Sequence, residues 1–368
     1  MSSGADGALH PAAASSCCPV GSWPGYWGGE AGSEWLVRNT GGCALRPART
    51  FVRLRHKCLQ PSGPRTLPQC LVANATLIEQ LRDASVLMLG DSTSAKLLID
   101  ACSAFKQPLR TWIHPPKTLK NLSKYRHRLS SADQTMCTLL GRPRASDGAA
   151  AGAPLPKRLN LPLGSFSHYG VGDVPRRFWA YAYPLPPWLG ATSFEQVRRD
   201  VPAFRNVTGG ADPSLIVVGS GFWDIAALWQ HEGNFSRRWF VPTAEHARRY
   251  AVGARRLVEA LRLEFPRSSV VWRTMHPGMK HSITPRVVAD FNRNFRAVAS
   301  QLSPPLALLE GEAMLQQLTP REYLPRSKTP VYGTSDGRHL WPYLNVALLN
   351  QVLNLLQQAV EEGAVCAQ

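Results

Sequence analysis

The chain has 368 residues, 44% of them hydrophobic, enough for one large α/β domain or two ordinary ones with a sizeable core. Lys+Arg 42 against Asp+Glu 25 gives a formal net charge of +17, which favours acidic partners such as polyanionic glycans, nucleic acid or anionic membrane surfaces. The charge comes as scattered pairs (Arg198-Arg199, Arg237-Arg238, Arg248-Arg249, Arg255-Arg256) with no finger, RRM or KH motif, and no 18-residue apolar run occurs, so neither nucleic acid nor a transmembrane segment in this chain is expected.

Residues 1–34 are rich in Gly, Ala, Ser and Pro without periodicity and read as a poorly ordered segment. Residues 35–80 hold three cysteines and short β-like runs, and read as an irregular pre-domain packed on the core. From 81 to 362 strands alternate with helices. "SVLMLG" (85–90) is a buried strand leading into a helix from about Thr93 to Phe105. "GRPRASDGAAAGAPLPKRLNLPLG" (141–164) reads as a loop insertion, with a strand near "FSHYG" (166–170). "LIVVGS" (215–220) is the next strand. A helix follows with Thr243 as N-cap, where Ala247, Tyr250, Ala254, Leu257, Val258 and Leu261 recur at three- and four-residue steps. Its Arg-rich face reads as solvated. "SSVVWRTMHPG" (268–278) and "LALLEG" (306–311) are further strands, separated by a helix with Pro285 in its first turn. A last helix runs from about Leu344 to Glu361. This rhythm implies a parallel sheet with helices on both faces and a ligand site at the carboxyl ends of the strands.

The eight cysteines form no CxxC pair and no Cys/His set with zinc spacing, so no metal site is expected. Four N-x-S/T sequons, at Asn74, Asn121, Asn206 and Asn234, lean with the even cysteine count toward the secretory pathway, either Golgi lumen or extracellular. Buried free cysteines are the alternative reading. The N-terminus has no positive n-region and no apolar h-region, so either the chain lacks its anchor segment or the sequons are unused.

Chemistry concentrates at two strand ends. Ser92 follows the first strand directly and sits at a helix N-terminus, where free N–H groups and the dipole stabilise negative charge. Asp91 and Ser92 can simply cap that helix, or Ser92 can be a nucleophile, which then needs a base. "TSDGRHLWP" supplies one: Asp336 and His339 lie three apart at the mouth of the last helix, a turn able to set the carboxylate against one ring nitrogen and leave the other facing Ser92. Asp91, beside the serine, and Trp223 and Asp224, which follow the strand "LIVVGS", should reach the site as substrate contacts; Trp223 reads either as a stacking platform for sugars or as core. His276, again at a strand end, reads either as a substrate contact or as a satisfied structural histidine. His168 is a weaker candidate.

These residues resemble the SGNH (GDSL-like) hydrolase superfamily, and within it the PC-esterase branch that includes plant trichome-birefringence-like polysaccharide O-acetyltransferases and fungal capsule acetylation proteins. The resemblance covers roughly residues 80 to 360 and rests on "VLMLGDS", "VVGSGFWDIAAL", "VVWRTMHPG" and "SDGRHL". It implies a flavodoxin-like three-layer αβα sandwich with Ser92 as nucleophile, His339 as base and Asp336 as its orienter. The backbone N–H of Ser92, joined by that of Gly170, would serve as oxyanion donors. Two positions depart from the pattern. Trp223 stands where the superfamily's third block, G-x-N-D, has its Asn, and Ala95, with Lys96 beside it, stands where the plant enzymes tend to have an Arg.

The resulting expectation is an O-acyltransferase moving an acyl group, foremost acetyl, to a carbohydrate hydroxyl on an acceptor that is acidic in character. No bound cofactor is expected, only an acyl donor such as acetyl-CoA or an acetylated intermediate. The alternatives are an esterase of the same chemistry and a non-catalytic polyanion- or glycan-binding module.

Overall fold

Five consecutive buried residues, Val86–Gly90, pair in parallel with a neighbour on each side, the arrangement of a central strand. In the computed structural model, residues 25–28, 34–37, 49–54, 71–105, 107, 109–112, 134–139, 161–168, 170–171, 197–198, 204–205, 208, 210–232, 240–277, 283–316, 339–340 and 342–362 are described.

Two antiparallel pairs precede the main sheet: β1 (Gly25–Gly28) with β2 (Glu34–Val37), and β3 (Val52–Leu54) with β4 (Leu71–Ala73). A short helix α1 (Ala75–Glu79) leads to β5 (Val86–Gly90) and α2 (Ser92–Ala104). Then come β6 (Arg110–Trp112), β7 (Gln134–Thr138), β8 (Pro162–Ser167), β9 (Leu215–Gly219), α3 (Phe222–His231), α4 (Ala244–Glu264), β10 (Ser269–Arg273), α5 (Pro285–Ala299), β11 (Ala307–Leu309), α6 (Gly311–Gln316) and α7 (Pro342–Glu362). The main sheet has seven strands in the order β11-β10-β9-β5-β8-β7-β6.

Five of these strands are parallel. Numbered among themselves in chain order they run 2-1-3-4-5, the flavodoxin-like arrangement, whose strand order reverses between the first and third parallel strands. Here those are β5 and β9. The remaining two, β6 and β7, are antiparallel, so the sheet is mostly rather than wholly parallel as the sequence rhythm implied. Neither of these two strands has the alternation or the long apolar run that marks a strand in sequence.

Strand periodicity divides the core in two. Val86, Met88, Leu215, Val217, Val271, Ala307 and Leu309 face one side and pack with Leu97, Leu98 and Ala101 of α2 and with Leu344, Leu348, Val352 and Leu355 of α7. Leu87, Leu89, Ile216, Val218, Val270, Trp272 and Leu308 face the other side, against α3, α4 and α5. The protein is thus an αβα sandwich.

The strand expected at 166–170 lies earlier, and its first residues belong to the stretch read as loop insertion. Pro162 and Gly164 hide it in sequence, because both are poor strand formers. Tertiary packing selects Gly164, since a β-carbon there would come 2.9 Å from the Phe204 ring. One cysteine pairing is visible among the described residues: Cys102 near the end of α2 is disulfide-bonded to Cys137 of β7.

Residues 49–52 are sewn to the last helix. Asn354 accepts from Arg49 N and donates to Arg49 O, each at 2.8 Å, and Asn350 does the same for Val52. The two amides sit one helical turn apart and replace the strand partner that residues 49–52 would otherwise need. Among the described residues no helix is long and apolar enough to cross a membrane.

Candidate active site

Asp91 is the N-cap of α2. Its Oδ1 accepts from Thr93 N at 2.8 Å and from Thr93 Oγ1 at 2.6 Å, satisfying one of the helix's free donors. Ser92 is the first helical residue, half-buried, with its own N–H beyond the reach of intrahelical bonding. The approach of the strand is tight: a β-carbon on Gly90 would fall 2.1 Å from Ser94 Oγ and 2.7 Å from Gly219 O. Capping and exposure of the serine therefore come from one turn.

His339 arrives from the far end of the chain. Its Nε2 stands 2.8 Å from Ser92 Oγ. The ring is half-buried and lies just before α7, which packs on the same face of the sheet as α2. Asn345 of α7 donates to Asp100 Oδ2 of α2 at 2.7 Å, and Lys96 pairs with the same carboxylate. This buried cross-link holds α2, which begins at Ser92, against α7, which His339 precedes. With Nε2 unprotonated, the imidazole can accept the serine proton and so raise its nucleophilicity. Asp336 lies outside the described residues.

Asp224, in the first turn of α3, is buried and bonds protein rather than facing outward: Oδ1 accepts from Val171 N at 2.8 Å and Oδ2 from Ser220 Oγ at 3.3 Å. Gly170 lies over this carboxylate with φ +97°, and a β-carbon would come within 2.6 Å of Oδ1. His168 N donates to Gly90 O at 2.8 Å, which brings the 168–171 segment alongside the serine turn. Asp224 thus holds the backbone that carries Gly170. The turn before α3 is equally close, since a β-carbon on Gly221 (φ +122°) would strike Met275 Sδ. Beside it Tyr250 Oη donates to Ser220 O at 3.0 Å. Burial pushes the Tyr250 phenol well above its ordinary value, and the negative charge of Asp224 adds to the shift.

Trp223 is half-buried in the first turn of α3. His276 is buried, its ring edge-on to Phe222 at a centroid distance of 4.9 Å. The adjoining Met275 backbone is gripped by Asn292, which accepts from its N–H and donates to its carbonyl.

Two solved structures align with most of this chain. A GDSL-like lipase from Parabacteroides merdae matches at 13% identity and TM-score 0.35, covering 74% of this chain and 97% of its own. A carbohydrate esterase family 3 protein from Talaromyces cellulolyticus matches at 10% identity and TM-score 0.35, covering 76% and 99% respectively. No family model and no curated protein matches the sequence. The fold assignment therefore rests on the strand order itself.

Sequence reasoning missed Arg273. This residue ends β10, is buried, and donates through Nη2 to Thr93 Oγ1 and to Ser94 Oγ, the latter at 3.2 Å. The available signal was a charge closing an otherwise apolar strand, "VVWR", at the same carboxyl edge as Ser92. Among the described residues no group of three or more His, Cys, Asp or Glu is placed to hold a metal ion.

Proposed function

We propose that this protein transfers an acyl group, foremost acetyl, to a carbohydrate hydroxyl through an ester on Ser92. The observation that carries the reading is the 2.8 Å contact between His339 Nε2 and Ser92 Oγ at the N-terminus of α2. Ser92 Oγ attacks the acyl carbonyl of the donor while His339 Nε2 takes its proton. The tetrahedral oxyanion lies against the Ser92 N–H, with Gly170 N–H as second donor, and collapses as His339 returns the proton to the leaving group. The acceptor hydroxyl then attacks the Ser92 ester, losing its proton to His339 and freeing the serine. Asp336 orients the imidazole.

Trp223 offers an aromatic surface of the kind sugars stack on, and the net charge of +17 suits an acidic polysaccharide acceptor. His276 lines the same strand edge. Asp91 and Asp224 act by holding the turns around the site, consistent with where their carboxylates bond. An acetylated thioester such as acetyl-CoA, or an acetylated carrier, would be the donor. The motifs "VLMLGDS" and "SDGRHL" favour the PC-esterase branch for this reading, and the sequons favour work in the secretory pathway; Asn74 is exposed.

Fluorophosphonate labelling tests it. Wild type is expected to be modified at Ser92, with Ser92→Ala and His339→Ala silent; a folded, unlabelled wild type would overturn it. Hydrolysis differs only in using water as acceptor. Mass spectrometry of products with and without oligosaccharide separates the two: acetate release that ignores the acceptor means esterase.

A further inference from the structure

Gly90, Gly219 and Arg273 are register neighbours across β5, β9 and β10, at the carboxyl edge of the sheet and on the face covered by α2. The two glycines leave this row without side chains. The Arg273 side chain fills it, crossing over Gly219 so closely that a β-carbon there would lie 2.9 Å from Nη2 and 3.1 Å from Nε. Its guanidinium ends on the hydroxyls of Thr93 and Ser94, the two residues that follow Ser92.

The donors and acceptors in this chain have only one arrangement. Arginine can only donate and an ionised carboxylate can only accept. Thr93 Oγ1 therefore gives its single proton to Asp91 Oδ1 and accepts from Arg273 Nη2. The result is a cation and an anion bridged by one hydroxyl, with Ser92 between residues held by its two ends. Arg273 bonds no carboxylate directly among the described residues, unlike a structural buried arginine, which normally pairs with one. Burial lowers its affinity for the proton and the charge of Asp91 works the other way; guanidinium stays charged regardless.

We infer that Arg273 is a positioning residue for the Ser92 chemistry, holding the nucleophile turn through Thr93 and Asp91 and keeping the potential beneath it positive where the oxyanion charge develops. This rests on the acyl-transfer reading above.

The test is the rate of fluorophosphonate labelling of Ser92 together with kcat and KM on p-nitrophenyl acetate, measured on folded wild type, Arg273→Met, Arg273→Lys, Thr93→Val and the Met/Val double variant. Misplacing a nucleophile by about 1 Å costs on the order of 100-fold, so Arg273→Met should label about 100-fold more slowly, with kcat reduced and KM unchanged. Arg273→Lys should recover part of the loss. Thr93→Val should slow labelling about tenfold, and the double variant should be no slower than Arg273→Met alone, because both changes break one bridge. Labelling of Arg273→Met at the wild-type rate, a defect confined to KM, or losses that multiply in the double variant would overturn the inference. If Arg273→Met does not fold, Thr93→Val decides: a wild-type labelling rate there overturns it. An unlabelled wild type overturns the acyl-transfer reading and this inference with it; a labelled wild type with indifferent variants overturns this inference alone.

Discussion

Nε2 of His339 lies 2.8 Å from Oγ of Ser92, although 247 residues of chain separate them. Nothing local brings them together. The serine rides on α2 and the histidine precedes α7, and the two helices meet because both cover the same face of the sheet.

Removing either partner should abolish ester chemistry without unfolding the chain. Ser92→Ala and His339→Ala are expected to lose about 10⁴–10⁶-fold in kcat/KM. Thermal unfolding should move little, since both side chains are half-buried at the edge of the core. A double variant no slower than either single one would show that they act as one unit.

Gly170→Ala tests the turn beside the serine. The substitution forces a β-carbon onto the Asp224 carboxylate at a backbone φ of +97°, which costs about 1–3 kcal/mol. Lower thermal stability together with slower Ser92 labelling is expected. Slower labelling without destabilisation would locate the effect in the oxyanion donor alone.

The disulfide between Cys102 and Cys137 closes a loop of sequence separation 35. Loop-closure entropy of that size is worth about 2–4 kcal/mol. The Cys102→Ala/Cys137→Ala variant should therefore unfold at a lower urea concentration by a corresponding amount, with a steeper denaturant slope because the unfolded chain is no longer cross-linked.

Asn350 and Asn354 hold residues 49–52 to α7 by backbone bonds. Asn350→Ala leaves the backbone N–H and C=O of buried Val52 without their partner, at about 1–3 kcal/mol; Asn354→Ala costs less, because Arg49 is exposed and water can take the amide's place. Limited proteolysis should then cut first on the N-terminal side of β5, sooner than in wild type.

Tyr250 should give the fold an alkaline limit. Its phenol is raised in the native state by burial and then by Asp224, so the native state holds the proton more tightly than the unfolded chain. The associated stabilisation is intact below about pH 10, the unfolded value, and falls as pH climbs from there toward the raised native value. Tyr250→Phe removes this component at a cost of about 1 kcal/mol near neutrality for the lost bond to Ser220 O. Denaturation across pH 8–12 compares the two slopes.

Much of the site's architecture was readable before any coordinates. Apolar runs ending at Gly90 and Gly219 marked central strands because strands covered on both faces are apolar throughout. Helix starts at Asp91 and Thr243 were visible through their capping side chains, and that of α5 through Pro285. Strands β6 and β7 were not, and β8 was expected only from its last residues onward. They are short or contain Pro and Gly, and their strand character comes from their neighbours and not from their own residues.

What the sequence by itself determined was local: the alternation of strand and helix, the serine at a strand-to-helix turn, and a histidine placed just before the last helix. Periodicity and capping act over a few residues, so a linear reading captures them. The tertiary structure decided which strands are neighbours. The 2-1-3-4-5 order puts Gly219 beside Gly90 and Arg273 beside Gly219, turns Asp224 inward onto Val171, and brings His339 to Ser92. Those contacts depend on register between segments far apart in the chain, and register is set only when the two faces of the sheet are buried together.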